Sequence, residues 1–237
     1  MNDYTGLELI NKLKLIKEMG YVKTHRAGNT GIGKTLEDLL EIKENNLSIS
    51  NGTDIELKSA RKNTSSMLTL FTKSPLPQKA NTILLKKFGY ESRRGNKKKE
   101  LHTTVNAIKY NQLKGQPGFK IDIKEDRINL ISTQKEILGY WDKETLNKSF
   151  EKKIPELLYV KADTIGKGEN EKFWFNEAWL LRGFDFNNFL NLIRESVILI
   201  DIRLGQYTDG RPHDHGTAFR VLPDKLELCF KYRERII

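Results

Sequence analysis

Residues 28–35 read GNTGIGKT and run on into LEDLLEIKENN. Gly28, Gly33, Lys34 and Thr35 satisfy the nucleotide-binding pattern G-x-x-x-x-G-K-[ST] at every fixed position. That pattern works only where a buried parallel strand feeds the glycine turn and a helix N-terminus then faces the phosphates. Here the upstream residues are YVKTHRA, and only Tyr21 and Val22 suit a strand. Lys23, His25 and Arg26 sit badly in the centre of a sheet. The apolar run VILID, Val197–Asp201, mimics the acid-tipped strand that holds magnesium in such enzymes, but short apolar strands ending in Asp are common. A P-loop NTPase is therefore the remotest reading. The stretch 21–34 reads instead as a basic, glycine-rich loop. A helix then starts at Thr35, with Thr35 as its N-cap and Asp38 as box partner. Glu37 falls in the first turn of that helix, where a carboxylate complements the positive helix end.

Working outward, TGLELINKLKLIKEM (5–19) carries its apolar residues at helical spacing and stops at Gly20. DIELKSA and SMLTLFT alternate like strands, SPLPQ is a turn, and GQPG turns ahead of a hairpin formed by FKIDI and RINLIST. ETLNKSFEKKI, NEAWLL and FNNFLNLIRE have helical patterns. VILIDIRLG, HGTAFRVL and KLELCFKY read as strands. Strands and helices mix without regular βαβ alternation, which predicts an α+β fold or a mixed sheet.

The 237 residues suit one large domain or two small lobes. The single cysteine, Cys229, excludes a disulfide within the chain and a Cys-based zinc site. The start, MNDYTGLELINKLK, lacks a signal-peptide pattern, and no long apolar run predicts a membrane span. A cytoplasmic protein is expected. Forty-one basic against 31 acidic residues give a net charge of +10. Such a surplus favours a polyanionic partner, because each Lys or Arg placed on a phosphate releases condensed counterions.

NGTDIELKS, Asn51–Ser59, carries the chemistry. Side chains alternate faces along a strand, so Glu56 and Lys58 project together. A carboxylate beside an ammonium fits metal-assisted phosphodiester hydrolysis. Glu56 and the backbone carbonyl of Leu57 offer hard oxygens to Mg²⁺. Lys58 can orient the attacking water and stabilise developing charge. Taken alone, the tripeptide reads as an exposed cross-face ion pair, a pattern abundant in a chain this charged.

The ordered succession GNTGIGKTLEDLLEIKENN, DIELKS, MLTLFTKSP, LHTTV, DIRLGQY and HDHGTAFR, from about residue 21 to 222, resembles the MvaI/BcnI type II restriction endonucleases, relatives of the mismatch-repair nicking enzyme MutH. The resemblance implies a PD-(D/E)xK, MutH-like fold with a mixed central sheet and two lobes around a DNA cleft. It implies one endonuclease domain over 1–237, with catalytic elements mainly in 21–75 and recognition elements mainly in 195–222. A monomer without an obligate protein partner would cut double-stranded DNA one strand at a time with Mg²⁺. By the same resemblance, Glu56 is the metal-binding acid, Lys58 the catalytic lysine and Glu37 the accessory acid. One position departs: Asn51 stands where the family has Asp, and an amide lacks the charge that binds a hard cation. A natural variant, an engineered change that traps uncut DNA, and metal binding shared with Asp54 all remain open. A catalytically impaired, sequence-specific DNA-binding protein is the alternative reading.

Asp201 and Arg203 share a strand face by parity, as do His213 and His215. With the resemblance, Asp201, Arg203, His213, Asp214, His215 and Arg220 read as base contacts. Arg bonds guanine O6 and N7, Asp accepts from cytosine N4, and His donates to guanine acceptors. Such a mix suits a G·C-rich site, and the resemblance implies a short, near-palindromic target of the CCNGG type. Lys73, Arg93, Arg94 and Lys97–Lys99 are placed near phosphates.

Overall fold

A computed structural model describes residues 6–42, 46–49, 53–92, 98–153 and 156–237. The chain divides into two compact units: unit 1 comprises Met1–Ser66, Ile154–Phe184 and Pro223–Ile237, and unit 2 comprises Met67–Lys153 and Asp185–Leu222. Unit 1 begins with helix α1 (Gly6–Glu18), strand β1 (Val22–Lys23), helix α2 (Gly31–Leu39) and strands β2 (Asn46–Ile49) and β3 (Thr53–Arg61). Unit 2 continues with β4 (Leu68–Thr72), α3 (Ala80–Phe88), β5 (Tyr90–Glu91), β6 (Lys99–Val105), β7 (Gln112–Leu113) and β8 (Gln116–Pro117). It adds β9 (Phe119–Ile123), β10 (Arg127–Ser132), β11 (Ile137–Asp142) and α4 (Lys143–Lys153). The chain returns to unit 1 for β12 (Glu156–Ile165) and β13 (Lys172–Arg182), and to unit 2 for α5 (Phe186–Arg194), β14 (Ile198–Gln206), β15 (Pro212–Asp214) and β16 (Ala218–Val221). It ends in unit 1 with a 3-10 helix (Pro223–Cys229) and β17 (Tyr232–Arg235).

Unit 1 is built on a mixed sheet in the order β1-β13-β12-β3-β2, with β17 also on β13. Only β12 and β3 run parallel; the other pairs are antiparallel. Leu9, Leu13 and Ile16 of α1, and Ile32, Leu36 and Leu40 in and just after α2, recur at helical spacing and bury against Ile55, Leu57, Leu158, Val160, Phe173 and Phe175. Each such side chain contributes roughly 1.5–3 kcal/mol when removed from water. Because Ile55 and Leu57 face that core, period two turns Glu56 and Lys58 to the opposite face of the sheet.

Unit 2 holds an antiparallel sheet, β4-β16-β14-β6-β5 with β15 on β14, and a three-stranded sheet β11-β10-β9. Its core is aromatic. Phe71 stacks on Phe219 at 4.9 Å, and Phe150, Phe189 and Trp141 close around them. No helix among the described residues is long and apolar enough to cross a membrane.

The mixed α+β expectation holds, but five local readings change, the first being GQPG, whose Gln116 and Pro117 form β8 paired with β7 rather than a turn. NEAWLL is not helical: it belongs to β13, which pairs with β12 along its length. Phe173 and Phe175 alternate into the core with period two, and a short apolar window cannot outweigh that ladder. KLELCFKY is not one strand. Leu226 and Cys229 bury three residues apart within the 3-10 helix, and a strand resumes only at Tyr232. The helix expected from Thr35 begins at Gly31, with Thr30 as N-cap. Thr35 is buried inside it and donates to the Gly31 carbonyl at 2.8 Å. Glu37 therefore lies beyond the first turn and does not cap the positive end.

The earlier start has a steric cause. A Cβ on Gly31 would lie 2.1 Å from the Arg26 carbonyl oxygen and 2.8 Å from Thr24 Oγ1. The loop closes so tightly on the helix that only glycine fits. The strand before the loop is two residues long, lies at the sheet edge and runs antiparallel to its neighbour. A phosphate loop's buried parallel strand is thus replaced by an edge bridge.

Candidate functional site

In unit 1, Glu56 Oε1 accepts a hydrogen bond from Lys58 Nζ at 2.9 Å, and the two side chains are only 15% and 16% exposed. Their strand lies between β2 and β12, and the ladder to β2 ends at Asn46–Glu56. Across the parallel register, Leu157 pairs with Glu56 and Tyr159 with Lys58. Tyr159 is buried, and burial pushes its hydroxyl pKa well up, with Glu177 adding to the shift. It therefore stays neutral. Further along the same sheet, Lys161 meets Glu177 at 3.0 Å, and Trp179 Nε1 donates to that carboxylate at 2.7 Å. Lys62 stands 3.6 Å from Glu177. The Glu56–Lys58 pair thus sits beside an aromatic and charged row that the sequence reading did not single out.

Glu37 sits on α2. Partial burial raises its pKa, Lys34 and Arg26 pull it down, and Asp38 adds to the rise. No ion pair joins it to Glu56 or Lys58 among the described residues. Lys34, the lysine that would reach phosphates in a nucleotide loop, is committed to Asp38 at 2.5 Å. His25 Nδ1 lies 2.9 Å from the same carboxylate. The loop itself is pinned by Arg61, whose Nε and Nη2 each donate to Glu171 at 2.7 Å while Nη2 also reaches the Gly28 carbonyl at 3.1 Å. Arg61 and Glu171 are 110 residues apart, and no local pattern reveals the pair.

No group of three His, Cys, Asp or Glu side chains that could hold a metal occurs among the described residues. Asn51 lies outside them, and so does the Asp54 side chain. Among the described side chains of β3 the acidic donor is the Glu56 carboxylate, beside the strand's backbone carbonyl oxygens. Hard oxygens of this kind suit Mg²⁺, which keeps several waters and takes one or two carboxylates from a protein.

In unit 2, β14 is the central strand, flanked by β16 and β6. Asp201 on β14 is 1% exposed. Its Oδ2 accepts from Arg203 Nε at 2.8 Å and lies 3.2 Å from Arg220 Nε, while Oδ1 accepts from Thr104 Oγ1 at 3.2 Å. Arg203 is opposite His102 on β6. The His102 ring lies 6.4 Å from that of His215, His215 lies 4.2 Å from His213, and Tyr207 stacks on His213 at 4.5 Å. Hence Asp201, Arg203, His213, His215 and Arg220 gather about one strand; parity had paired only Asp201 with Arg203 and His213 with His215, and His102, Thr104 and Tyr207 join them unannounced. The strand register across β6 and β14 brings these last residues in; sequence spacing carries no sign of it.

Asp214 has a different position. Oδ1 accepts from the Gly216 and Thr217 amides at 2.9 and 2.7 Å and from Thr217 Oγ1; Oδ2 accepts from Ser74 Oγ at 2.6 Å and Asn81 Nδ2 at 3.0 Å. Burial pushes its carboxyl up, but these hydrogen bonds more than offset that and hold it below the usual range. The carboxylate ties β15 to the end of β4 and to α3. Lys73 follows β4, where its backbone bonds Thr217 and its carbonyl accepts from Trp141 Nε1. Arg93, Arg94 and Lys97 lie outside the described residues.

Charge divides unevenly. Unit 2 contains 23 of the 41 basic and 14 of the 31 acidic residues, so nine of the ten surplus positive charges fall there. Unit 1, with Glu56 and Lys58, is nearly neutral.

Residues 10–230 match the model of the MvaI/BcnI restriction endonuclease family. A solved structure described as restriction endonuclease MvaI in complex with its cognate DNA substrate is 34% identical, with a TM-score of 0.81 and full coverage of both chains. Restriction endonuclease MvaI in the absence of DNA is 30% identical, with a TM-score of 0.60, covering 100% of this chain and 99% of that one. No curated protein matches.

Proposed function

The chain belongs to the MvaI/BcnI restriction endonuclease family, and from that premise we propose that it is a Mg²⁺-dependent type II enzyme cutting double-stranded DNA at a short G·C-rich site of the CCNGG type. It acts as a monomer and as one endonuclease domain over 1–237, nicking the strands in turn. The observation that carries the reading is the Glu56–Lys58 pair, joined at 2.9 Å on one face of β3.

Glu56 and the Leu57 carbonyl would hold the ion, with Asn51 or Asp54 supplying a further oxygen. When bound, Mg²⁺ polarises the scissile phosphate and makes the bound water more acidic. Lys58 would orient the attacking water and stabilise charge developing on the phosphoryl oxygens. While Lys58 donates to Glu56, each neutralises the other, which keeps two partly buried charges tolerable. Glu37 acts as an accessory carboxylate from α2. Arg203, Arg220, His213 and His215 read base edges, with Asp201 and Asp214 beside them, and Lys73, Arg93 and Arg94 lie near phosphates. The positive surplus of unit 2 fits the larger share of phosphate contact.

The test is a plasmid of known sequence incubated with Mg²⁺, followed by end mapping. Discrete ends at one short site support the reading; random ends or intact plasmid oppose it. Glu56→Ala and Lys58→Ala should abolish cleavage while retaining specific binding, and normal cutting by both would show the assignment to be wrong. Asn51 favours a second reading, a specific binder without catalysis. Cleavage gained in Asn51→Asp would identify a disabled enzyme.

A further inference from the structure

We infer that Asp201 is a positioning residue: it meets no base itself and aims Arg203 and Arg220 at the same or adjacent base pairs. This rests on unit 2 being the DNA-reading unit.

Three observations carry it. First, the Asp201 carboxylate is 1% exposed on the central strand of its sheet, so an incoming base edge cannot reach it. A carboxylate so placed is tolerated only where charged or hydrogen-bonding partners surround it. Those partners come from three strands: Arg203 on β14 itself, Arg220 on β16 and Thr104 on β6.

Second, both arginines approach through Nε. A guanidinium held at Nε has its other nitrogens directed away from the anchor as a planar fork, the arrangement that matches guanine O6 and N7. Among the described residues no acceptor takes the terminal nitrogens of either arginine. Arg203 remains 41% and Arg220 25% exposed while their shared anchor is closed off.

Third, the shared oxygen limits the spacing. Nε of Arg203 lies 2.8 Å and Nε of Arg220 3.2 Å from Oδ2. The two nitrogens are therefore no more than about 6 Å apart, less than two base-pair steps of about 3.4 Å each. Anchors this close favour forks that address one base pair or two neighbours. Arg220 Nε is buried and lacks a well-aligned hydrogen bond, so its approach to Oδ2 is chiefly Coulombic. Arg203 is the hydrogen-bonded fork, and Arg220 is held to the shared carboxylate by charge.

The experiment measures binding of the full chain to a duplex carrying the end-mapped site and to a scrambled duplex, with Ca²⁺ replacing Mg²⁺. Asp201→Asn keeps the shape and loses the charge. It should lower the specific-to-scrambled affinity ratio by about 5- to 150-fold, the scale of one misplaced bidentate contact. In an Arg203→Ala/Arg220→Ala background the same change should cost less than about twofold, because contacting residues couple while independent ones add. Replacing guanine by 7-deazaguanine, which removes N7, should penalise wild type more than Asp201→Asn. Asp201→Glu, which retains the charge but shifts it by a methylene, should melt closer to wild type and still lose discrimination. An additive loss in the double-arginine background means that Asp201 touches a base and overturns the proposal. Unchanged discrimination in Asp201→Asn also overturns it. If Arg203→Ala and Arg220→Ala themselves leave discrimination intact, the assignment of DNA reading to this face fails, and the positioning role with it.

Discussion

Replacing Gly205 by alanine tests whether one imidazole is aimed by the strand beneath it. Gly205 lies on β14 opposite His213, and a Cβ there would come 2.6 Å from His215 Nε2 and 3.3 Å from its Cδ2. Ordinary contact with a carbon needs about 3.5 Å, so the ring must retreat by roughly 1 Å. The obstruction is the far end of a side chain, which can rotate at little cost. The backbone gains, since glycine inside a strand is roughly 0.5–1 kcal/mol less favourable than alanine. Thermal stability should therefore hold or rise slightly. Binding should not. A shift of that size takes a hydrogen bond from good geometry to none. A lost base contact costs about 1–3 kcal/mol, or about 5- to 150-fold in affinity. The assay pairs a melting curve with equilibrium binding to the mapped site under Ca²⁺. His215→Ala should match Gly205→Ala, and the double variant should lose nothing more. Wild-type affinity in a normally folded Gly205→Ala protein would refute both the constraint on His215 and its use in reading DNA.

Gly31→Ala should behave in the opposite way. Its Cβ would meet the Arg26 backbone at 2.1 Å, which cannot rotate away, so a loss of about 1–3 kcal/mol of stability is expected in chemical denaturation. An unchanged midpoint would show that the loop is not so closed. Asp214 has a depressed carboxyl pKa, so its stabilisation is present above the unfolded value near 3.8 and is lost as pH falls through the lower folded value. Asp214→Asn should thus be less stable than wild type at neutral pH, with the gap closing in acid below that value; a pH-independent gap would contradict this. Glu37 has a raised pKa, which reverses the sign. Its ionisation penalises the fold above the raised value, and the penalty vanishes below 4.5. Without divalent ions, Glu37→Gln should melt higher than wild type at neutral pH and equally with it in acid. A lower melting temperature at neutral pH would mean that its carboxylate is held by a favourable partner.

Much of the candidate site was legible because its geometry is local. Glu56 and Lys58 are two residues apart, and any extended backbone puts such residues on one face. The same holds for Asp201 and Arg203. The helices α1, α4 and α5 announced themselves through apolar spacing, and the failed phosphate-loop context was visible in Lys23, His25 and Arg26. The start of α2 was misplaced because nothing in the sequence shows the Arg26 carbonyl pressed onto Gly31. NEAWLL was misread because its strand identity depends on β12, whose pairing residues begin at Glu156.

By itself the sequence determined the family order of motifs, the excess of positive charge and the acid–lysine pair on one face, since each depends on neighbours along the chain. Tertiary structure alone decided that Asp201 lies buried between two arginines and a threonine from three strands. It also decided that His102 joins the histidines of 213–215, that Arg61 clamps the glycine loop through Glu171, and that the charge surplus is concentrated in unit 2. The physical reason is that burial and cross-strand register are set by hydrogen-bond ladders between segments far apart in the chain, and a short-period pattern contains no information about which ladder will form.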